Sequence, residues 1–499
     1  MRQRRDSSSR GPVRIRQVEL NEPQQRFSPD RRHNTELVIL TYVFAAMFLL
    51  LIGYLVYINV FKADELRSNP NNTKKDSSSS NIIRGSIVTE DGVVLATTNI
   101  DGDGRETRSY PYENIFAHVI GYASNGKSGL EAEENYELLT SHSSLLSQLR
   151  KNDDGEKVQG DSVVVTLDSR LQQTAYYALG SYRGAVVAME PDTGKILAMV
   201  SKPDFNPNTI SQEWESMVSD DSSSALLNRA TQGLYPPGST FKMITSLAYL
   251  REHPSDYDQF SWDCQGSLTQ NEVTITCYNG EWHGQESLRS AFANSCNTAF
   301  AGIGLELDNK ILRKAAEDFL FNSSLPTGMP HSRSIFSLDK DSSVGEQMTT
   351  AIGQGDTLVT PLHMALITST IANGGVMMRP YYVDHIETYD GDMVTQNDPS
   401  VYKKILTPDE AGVLTAYMES TVSSGTAYAL YGNGYSCAGK TGSAEYTRDG
   451  VTGTHSWFCG FADVEEPDIV VAVIAEDGGT GSSTAVPIAK QIFDAYYYG

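Results

Sequence analysis

Residues 37–61 contain no charged side chain, and this stretch limits the folds open to the chain more than any other. It is dominated by apolar residues and is bracketed by Glu36 and Lys62. About 20 apolar residues in a helix cross the hydrocarbon core of a bilayer, so residues 37–61 predict one transmembrane helix with some tilt. Tyr54 and Tyr57 lie near one end, where aromatic rings favour the membrane interface.

A cleaved signal peptide would also combine a basic segment with an apolar one. Its apolar region would cover only about 7–15 residues and end at a small-x-small cleavage site, and residues 55–61 contain no such site. We therefore favour an uncleaved, single-pass anchor. Residues 1–36 form a basic tail with nine arginines against five acidic residues, a net charge of +4. The positive-inside rule predicts that this tail is cytoplasmic and that the chain after the helix is extracytoplasmic.

The chain after the tail is acidic, because the formal net charge of the whole protein is −23. A nucleic-acid-binding protein needs a clustered basic face, so we expect no nucleic-acid partner. The five cysteines and nine histidines contain no C-x-x-C or H-x-x-x-H pattern, so we expect no metal site and no cofactor. Cys264 and Cys277 could form a disulfide outside the membrane, but their spacing alone leaves that open.

A length of 499 residues suggests about two to four domains. Residues 62–81 are polar, which is typical of a flexible stalk. Residues 82–97 alternate apolar and polar side chains around Glu90-Asp91-Gly92, which predicts a hairpin. Residues from about 105 to 160 mix short strand and helix signals. We therefore predict a small accessory domain at residues 82–160 and one larger domain at residues 161–499. The predicted division is a tail at 1–36, a transmembrane helix at 37–61, a stalk at 62–81, and domains at 82–160 and 161–499.

The larger domain begins and ends with strand-like hairpins, and its middle is helical. Paired β-rich runs predict two antiparallel hairpins, at residues 185–189 with 196–200 and at residues 456–462 with 469–475. Helical patterns cover residues 240–251, 288–305, 365–373 and 485–497. Strands at both ends with helices between them predict an α+β fold, an antiparallel sheet covered by helices.

Ser239 and Lys242 form a Ser-x-x-Lys pattern after a Pro-Pro-Gly turn. A helix that starts at Ser239 would bring the Lys242 amine and the Ser239 hydroxyl to one face. An unassisted serine is a weak nucleophile at neutral pH, and a partly desolvated amine can accept its proton. On its own the pattern is weak evidence, because a capping serine beside a solvated lysine would look the same.

Two further short patterns follow in the chain. Ser295 and Asn297 lie in an apolar stretch, residues 291–303, that we expect to be helical, where polar side chains need partners. Residues 440–443 read Lys-Thr-Gly-Ser just before the last predicted strands. Gly442 would leave room for a substrate backbone beside a strand, and the neighbouring cation and hydroxyls suit a carboxylate. Each pattern also has a purely structural explanation. Residues 295–297 could form a polar turn between helices, and residues 440–443 could form a surface turn.

Ser-x-x-Lys, Ser-x-Asn and Lys-Thr-Gly in this order resemble the signature of penicillin-binding proteins and serine β-lactamases. Residues 235–242, 295–300, 352–361 and 457–461 are similar to segments of penicillin-binding transpeptidases. Arg84-Gly85-Ser86-Ile87 and Gly129-Leu130-Glu131 resemble the accessory, or pedestal, domain of class B members. One departure is the turn Thr89-Glu90-Asp91-Gly92, where those proteins usually carry an Asp-Arg-Asn-Gly-like turn.

The resemblance implies a D,D-transpeptidase that acts on peptidoglycan stem peptides ending in D-Ala-D-Ala. Ser239 would attack the carbonyl of the penultimate D-Ala, and Lys242 would be the general base. Ser295 and Lys440 would relay the proton to the leaving amine. A neighbouring amine would then take the acyl group, and a β-lactam would acylate the same serine.

The resemblance also implies how the substrate is held. Asn297 would bind the substrate amide, and the backbone N–H groups of Ser239 and Ser443 would form the oxyanion hole. Thr441 and Ser443 would receive the terminal carboxylate, beside Gly442.

Several alternatives stay open. A D,D-carboxypeptidase would use water as the acceptor, and a β-lactamase would need a deacylating base. Glu317 is the nearest candidate for that base, but its neighbours predict a solvated helix face. A non-catalytic scaffold of the cell-wall machinery would have no chemical reason to keep all the signature residues. His455, near the last strand, is interpreted as structural.

A glycan polymerase would need a domain of its own before the transpeptidase. Only about 100 residues separate the predicted membrane helix from the larger domain, the size of one small domain. The pedestal-like sequence already occupies them. We therefore expect a separate glycosyltransferase partner.

Overall fold

The computed structural model describes residues 31–62, 82–144, 148, 157–220, 223–448 and 450–499. The chain divides into two compact units, Met1–Leu66 and Arg67–Gly499. The predicted stalk beyond Lys62 and the basic tail up to residue 30 lie outside the described residues.

The first unit contains one long helix. Helix α1 (Arg31–Tyr57) continues into a single π-helical turn (Ile58–Lys62). Its apolar side chains are exposed, as Leu50 is at 74%, and residues 35–62 are long and apolar enough to cross a membrane. The predicted helix is present, and its length and composition fit a single-pass membrane anchor.

The second unit is built around several sheets. Its strands in the described residues are β1 (Ile82–Ile83), β2 (Ile87–Thr89), β3 (Val94–Ile100), β4 (Glu106–Ser109), β5 (Val158–Gln159), β6 (Ser162–Val165), β7 (Gly184–Met189), β8 (Ile196–Lys202), β9 (Ser261–Cys264), β10 (Ser267–Gln270), β11 (Val273–Thr276), β12 (Gly284–Ser287), β13 (Val376–Met378), β14 (Val383–Glu387), β15 (Met393–Gln396), β16 (Val401–Lys404), β17 (Ala438–Arg448), β18 (Val451–Ala462) and β19 (Ile469–Ala475).

Helices fill the chain between these strands. They are α2 (Ala117–Ile120), α3 (Gly129–Glu133), α4 (Asn135–Leu138), α5 (Ser169–Leu179), α6 (Ile210–Ser219), α7 (Arg229–Gln232), α8 (Lys242–Glu252), α9 (Leu288–Ala293), α10 (Asn297–Glu306), α11 (Asn309–Asp318), α12 (Val344–Ala351), α13 (Pro361–Ala372), α14 (Pro408–Ser423) and α15 (Val486–Tyr498).

A five-stranded antiparallel sheet forms the centre of the larger domain, in the order β17-β18-β19-β7-β8. Both predicted hairpins are confirmed, because β7 pairs with β8 and β18 pairs with β19. Strands β7 and β19 are buried along their whole length, as strands are when helices cover both faces of a sheet. Strand β17 lies at one edge, so its outer side is available for other groups.

Apolar layers on the two faces of this sheet form the core. On one face Leu171 of α5 and Phe493 of α15 pack in a cluster with sheet residues such as Val186. On the other face α8 and the buried helix α13 belong to a larger cluster that includes Phe241 and Trp457. This arrangement confirms the predicted α+β fold of an antiparallel sheet covered by helices.

A six-stranded sheet, ordered β15-β14-β6-β2-β3-β4, links the N-terminal strands to the rest of the unit. Strand β6 pairs in parallel with β2 and antiparallel with β14. The predicted domain boundary at residues 160–161 therefore lies directly before a strand that is shared by both parts, and the boundary stays a prediction.

A buried ion cluster holds the N-terminal part together. The Glu131 carboxylate is fully buried and accepts from Arg84 Nε at 2.5 Å and from Arg108 Nε at 2.7 Å. Burial alone would raise the pKa of Glu131, but the two guanidinium groups lower it below its usual value. The two segments that resemble a pedestal domain, around Arg84 and Glu131, thus meet in space.

The prediction of one helix over residues 288–305 is wrong. The structure has two helices, α9 and α10, separated by residues 294–296. Ser295 has a φ of 57°, a left-handed conformation that an α-helix does not accommodate. The Cys296 thiol then caps α10 by accepting the N–H of Ala299 at 3.4 Å. Apolar periodicity continued across the break because both helices bury the same kind of face.

Candidate active site

Ser239 lies in a 3-10 turn (Gly238–Phe241) that leads into α8. The predicted helix start at Ser239 is therefore close to correct, although regular α-helix begins only at Lys242. Tyr235 exchanges two backbone hydrogen bonds with Val359. The indole N–H of Trp457 donates to the Pro236 carbonyl at 3.0 Å. The segment before the serine is thus fixed to two other parts of the domain.

Gly238 and Gly353 allow two backbones to meet beside the serine. The Gly238 N–H donates to the Gly353 carbonyl at 2.8 Å. Gly353 has a φ of +76°, and a Cβ on it would lie 2.0 Å from the Gly238 carbonyl oxygen. Only a glycine fits such a position without moving the turn that carries Ser239.

The Lys242 amine is fully buried and is held by the Ser-x-Asn segment. Its Nζ donates to the Ser295 carbonyl at 2.7 Å and to Asn297 Oδ1 at 2.8 Å, and lies 3.3 Å from Ser295 Oγ. Burial lowers the pKa of Lys242 to about 7. The amine is therefore neutral in a large fraction of molecules near neutral pH, so it can accept a proton.

The break between α9 and α10 brings the second motif to this amine. Because Ser295 adopts the left-handed conformation, its carbonyl and hydroxyl both lie within reach of Lys242. Asn297 Nδ2 also donates to the Thr276 carbonyl at 2.9 Å. The predicted polar turn between helices is present at residues 294–296. Its Ser295 carbonyl and the adjacent Asn297 side chain accept hydrogen bonds from the Lys242 amine.

Lys440 is fully buried on the edge strand β17. Its Nζ donates to the Thr441 carbonyl at 3.1 Å and lies 5.4 Å from the centroid of the Phe292 ring. Burial, and then the charge of nearby Lys242, hold the pKa of Lys440 well below its usual range. Two amines thus share a dry site in which the presence of both charges is unfavourable.

Gly442 packs against the turn that carries Ser239, and its predicted contact with a substrate backbone stays a prediction. A Cβ on it would lie 3.0 Å from Trp457 Cβ and 3.1 Å from the Pro237 carbonyl oxygen. The position that a side chain would take therefore faces protein atoms. Gly442 therefore lets β17 pack closely against the turn that carries the nucleophile, which brings Thr441 and Ser443 to that turn.

Thr426 was not singled out from the sequence. Its hydroxyl lies 2.5 Å from the Thr441 hydroxyl, so it orients one of the two predicted carboxylate-binding hydroxyls. Thr426 lies in a Ser-Ser-Gly-Thr segment of ordinary composition, and no local pattern distinguishes it. Only the tertiary contact identifies it.

His455 and Glu317 lie in ordinary structural surroundings. The His455 ring stacks on Tyr446 at 4.3 Å, and its Nδ1 accepts the Asp477 N–H at 3.4 Å. Glu317 pairs with Arg313 one helical turn away, and its side chain is 43% exposed. These contacts agree with a structural histidine and a solvated glutamate.

The described residues that could hold a metal ion include Cys264, Cys277, His283 and Cys296. These four side chains converge beside the Ser-x-Asn segment although their sequence spacing is wide. The argument from short spacings against a metal site therefore does not apply to them.

Several known proteins are similar to this chain in sequence. A family model described as the penicillin binding protein transpeptidase domain matches residues 184–494, and one for the penicillin binding protein A dimerisation domain matches residues 84–163. The chain is 34% identical over 485 residues to the peptidoglycan D,D-transpeptidase PbpA of Mycolicibacterium smegmatis, covering 92% of this chain and 98% of that relative. Stage V sporulation protein D of Bacillus subtilis is 29% identical over 416 residues, covering 77% of this chain and 66% of that relative.

Solved structures of penicillin-binding proteins are also similar to this chain. The imipenem acyl-enzyme complex of penicillin-binding protein A from Mycobacterium tuberculosis has a TM-score of 0.77 and 32% identity, over 84% of this chain and 99% of that one. The D,D-transpeptidase domain of a peptidoglycan glycosyltransferase from Eggerthella lenta has a TM-score of 0.76 and 32% identity, over 84% of this chain and 98% of that one. This chain belongs to the penicillin-binding protein transpeptidase family.

The close approach of Gly353 to the nucleophile turn predicts the effect of a small substitution. Gly353→Ala should slow acylation by benzylpenicillin by about 100-fold, because displacing a reacting group by about 1 Å has effects of that size. Gly355→Ala is the matched control, since Gly355 has the same φ of +76° but its added Cβ would meet only Thr349 at ordinary distance. Equal acylation rates in the two variants would contradict this account of Gly353.

Proposed function

We propose that this chain is a membrane-anchored serine D,D-transpeptidase that cross-links peptidoglycan stem peptides through an acyl-serine on Ser239. The observation that carries the proposal is the buried Lys242 amine, three residues after Ser239 and held by Ser295 and Asn297. A buried amine that is uncharged in a large fraction of molecules near neutral pH is what an otherwise weak serine nucleophile needs.

In the acylation step, Lys242 accepts the Ser239 hydroxyl proton while the serine oxygen attacks the carbonyl of the penultimate D-Ala. The C–N bond to the terminal D-Ala breaks, and the leaving amine takes a proton through Ser295 and Lys440. The lowered pKa of both lysines supports this relay, because burial makes each amine lose its proton more readily than an exposed lysine does. A substrate amine then attacks the ester and releases Ser239.

The oxyanion formed in this step needs preorganised donors. We assign the backbone N–H groups of Ser239 and Ser443 to it. The tight packing of β17 against the nucleophile turn at Gly442 supports this pairing.

Thr441 and Ser443 would bind the terminal carboxylate of the donor peptide. Both residues carry hydroxyl groups on the edge strand β17. The Thr426 hydroxyl orients that of Thr441. Asn297 would hold the substrate amide. It also accepts from Lys242, so it would link substrate binding to the base.

The remaining assignments concern location and partners. We propose that residues 1–36 are a cytoplasmic tail, that residues 37–61 cross the cell membrane once, and that the domains at 82–160 and 161–499 are extracytoplasmic. The nine arginines of the tail support this orientation. The pedestal-like part leaves no room for glycan polymerisation, so we propose a separate glycosyltransferase partner.

Covalent labelling tests the nucleophile. Detergent-solubilised full-length protein should bind a fluorescent penicillin for hours, and Ser239→Ala should bind none. Ser246→Ala, in helix α8, is a matched control, because the buried Ser246 hydroxyl has no hydrogen-bond partner among the described residues and its loss should leave labelling intact. Label that vanishes within seconds would indicate a β-lactamase, and an unlabelled parent would indicate a scaffold.

The pH profile of acylation tests the base. Lys242 accepts the serine proton only when it is neutral, so the rate constant for benzylpenicillin should fall as the pH drops below about 7. Well below that pKa the fall should approach tenfold per pH unit, in step with the neutral fraction of the base. Stopped-flow fluorescence gives the rate, and circular dichroism at each pH confirms that the fold is retained. A midpoint near the unperturbed lysine value of about 10.4 would contradict the assignment.

A further inference from the structure

Four side chains from four separate segments converge behind the Ser-x-Asn turn. Cys264 ends β9, Cys277 follows β11, His283 precedes β12, and Cys296 is the N-cap of α10. The three thiols are buried, and the His283 side chain is only 10% exposed. One donor atom from each lies within 4.8 Å of all the others.

The distances between the donor atoms match the edges of a metal-centred tetrahedron. Zinc bonds of about 2.3 Å to sulfur and about 2.0–2.1 Å to nitrogen give tetrahedral edges of about 3.8 Å between sulfurs and about 3.6 Å between sulfur and nitrogen. The Sγ atoms of Cys264 and Cys277 are 3.7 Å apart, and those of Cys277 and Cys296 are 3.8 Å apart. Cys264 Sγ lies 3.4 Å from His283 Nδ1. A cation at the centre would therefore need little rearrangement.

A disulfide accounts for these four groups less well than a cation does. All three thiols are free in the structure, and Cys277 is about equally near to Cys264 and to Cys296. A Cys264–Cys277 bridge would leave a third thiol and an imidazole nitrogen together in a buried site. A cation uses all four donors at once.

The surroundings of the cluster resemble the outer contacts of metal ligands. His283 Nε2 lies 3.8 Å from an oxygen of the exposed Glu281 carboxylate, which would have to move closer to accept the imidazole N–H and orient a ligating histidine. Cys296 Sγ accepts the Ala299 N–H at 3.4 Å and lies 3.3 Å from the Thr298 hydroxyl. Both contacts would stabilise a thiolate at this position.

We propose that Cys264, Cys277, His283 and Cys296 bind a divalent cation that prefers thiolate ligands, Zn²⁺ by this ligand set. Binding releases the protons of the three thiols to solvent, and His283 coordinates through Nδ1 as a neutral imidazole. Four protein ligands close the coordination sphere, so the ion is structural and takes no part in the acyl transfer.

The proposed ion would hold the Ser-x-Asn segment of the active site in place. Cys296 stands between Ser295 and Asn297 in the chain, and Cys277 follows Thr276, whose carbonyl accepts from Asn297 Nδ2. One ion would thus tie both loops that hold Asn297 to strands β9 and β12. The sequence spacing concealed this set, because the shortest interval between two of its members is six residues.

Metal analysis of full-length protein, solubilised from membranes without chelators, tests the proposal. Inductively coupled plasma mass spectrometry should give about one zinc per chain in the parent. Cys264→Ser and Cys296→Ser should each lose it. Cys437→Ser, which removes a buried thiol outside the cluster, should keep it.

Cobalt substitution tests the parent protein alone, so its result does not depend on whether a variant folds. Parent protein reconstituted with Co²⁺ should develop thiolate-to-metal charge-transfer absorption and the visible bands of tetrahedral cobalt. Parent protein that takes up neither Zn²⁺ nor Co²⁺ and carries a Cys264–Cys277 disulfide by mass spectrometry would overturn the proposal. So would full zinc content in the Cys264→Ser and Cys296→Ser variants, because the metal would then be bound elsewhere.

Discussion

The burial of two lysine amines in one dry site is the constraint on which the rest of the active site depends. A fully buried ammonium is costly unless it loses its proton or finds several acceptors. Lys242 has acceptors from Ser295 and Asn297, and Lys440 has the Thr441 carbonyl. Burial therefore gives a base with a pKa of about 7 from a residue that is ordinarily charged.

The fold supplies this site by packing backbones unusually closely. The nucleophile turn lies between the loop at Gly353 and the edge strand β17, and contact on both sides depends on glycines. The left-handed conformation of Ser295 turns the second motif toward the buried amine. Packing of the apolar core on both faces of the central sheet stabilises these constrained conformations. The same core keeps the nucleophile turn, the Gly353 loop and strand β17 in contact.

Much of the fold could be predicted from local patterns, because hairpins such as β7–β8 and helices such as α15 are encoded by nearby residues. The break between α9 and α10 could not, since it depends on a single left-handed residue within a continuous apolar pattern. The three motifs identified Ser239, Lys242 and Lys440 as candidates. Thr426, the packing role of Gly442 and the Cys264–His283 grouping depend on residues distant in sequence, which no spacing rule reveals.

The most direct test of the central claim is transfer of an acyl group to an amine. Full-length protein in detergent would receive a peptide thioester donor ending in D-Ala and rising concentrations of a D-amino acid acceptor. Mass spectrometry would then separate the amide product from the hydrolysed acid. The account predicts that the amide grows with acceptor concentration at the expense of the acid. Hydrolysed acid alone at every acceptor concentration would contradict a transpeptidase and identify a carboxypeptidase.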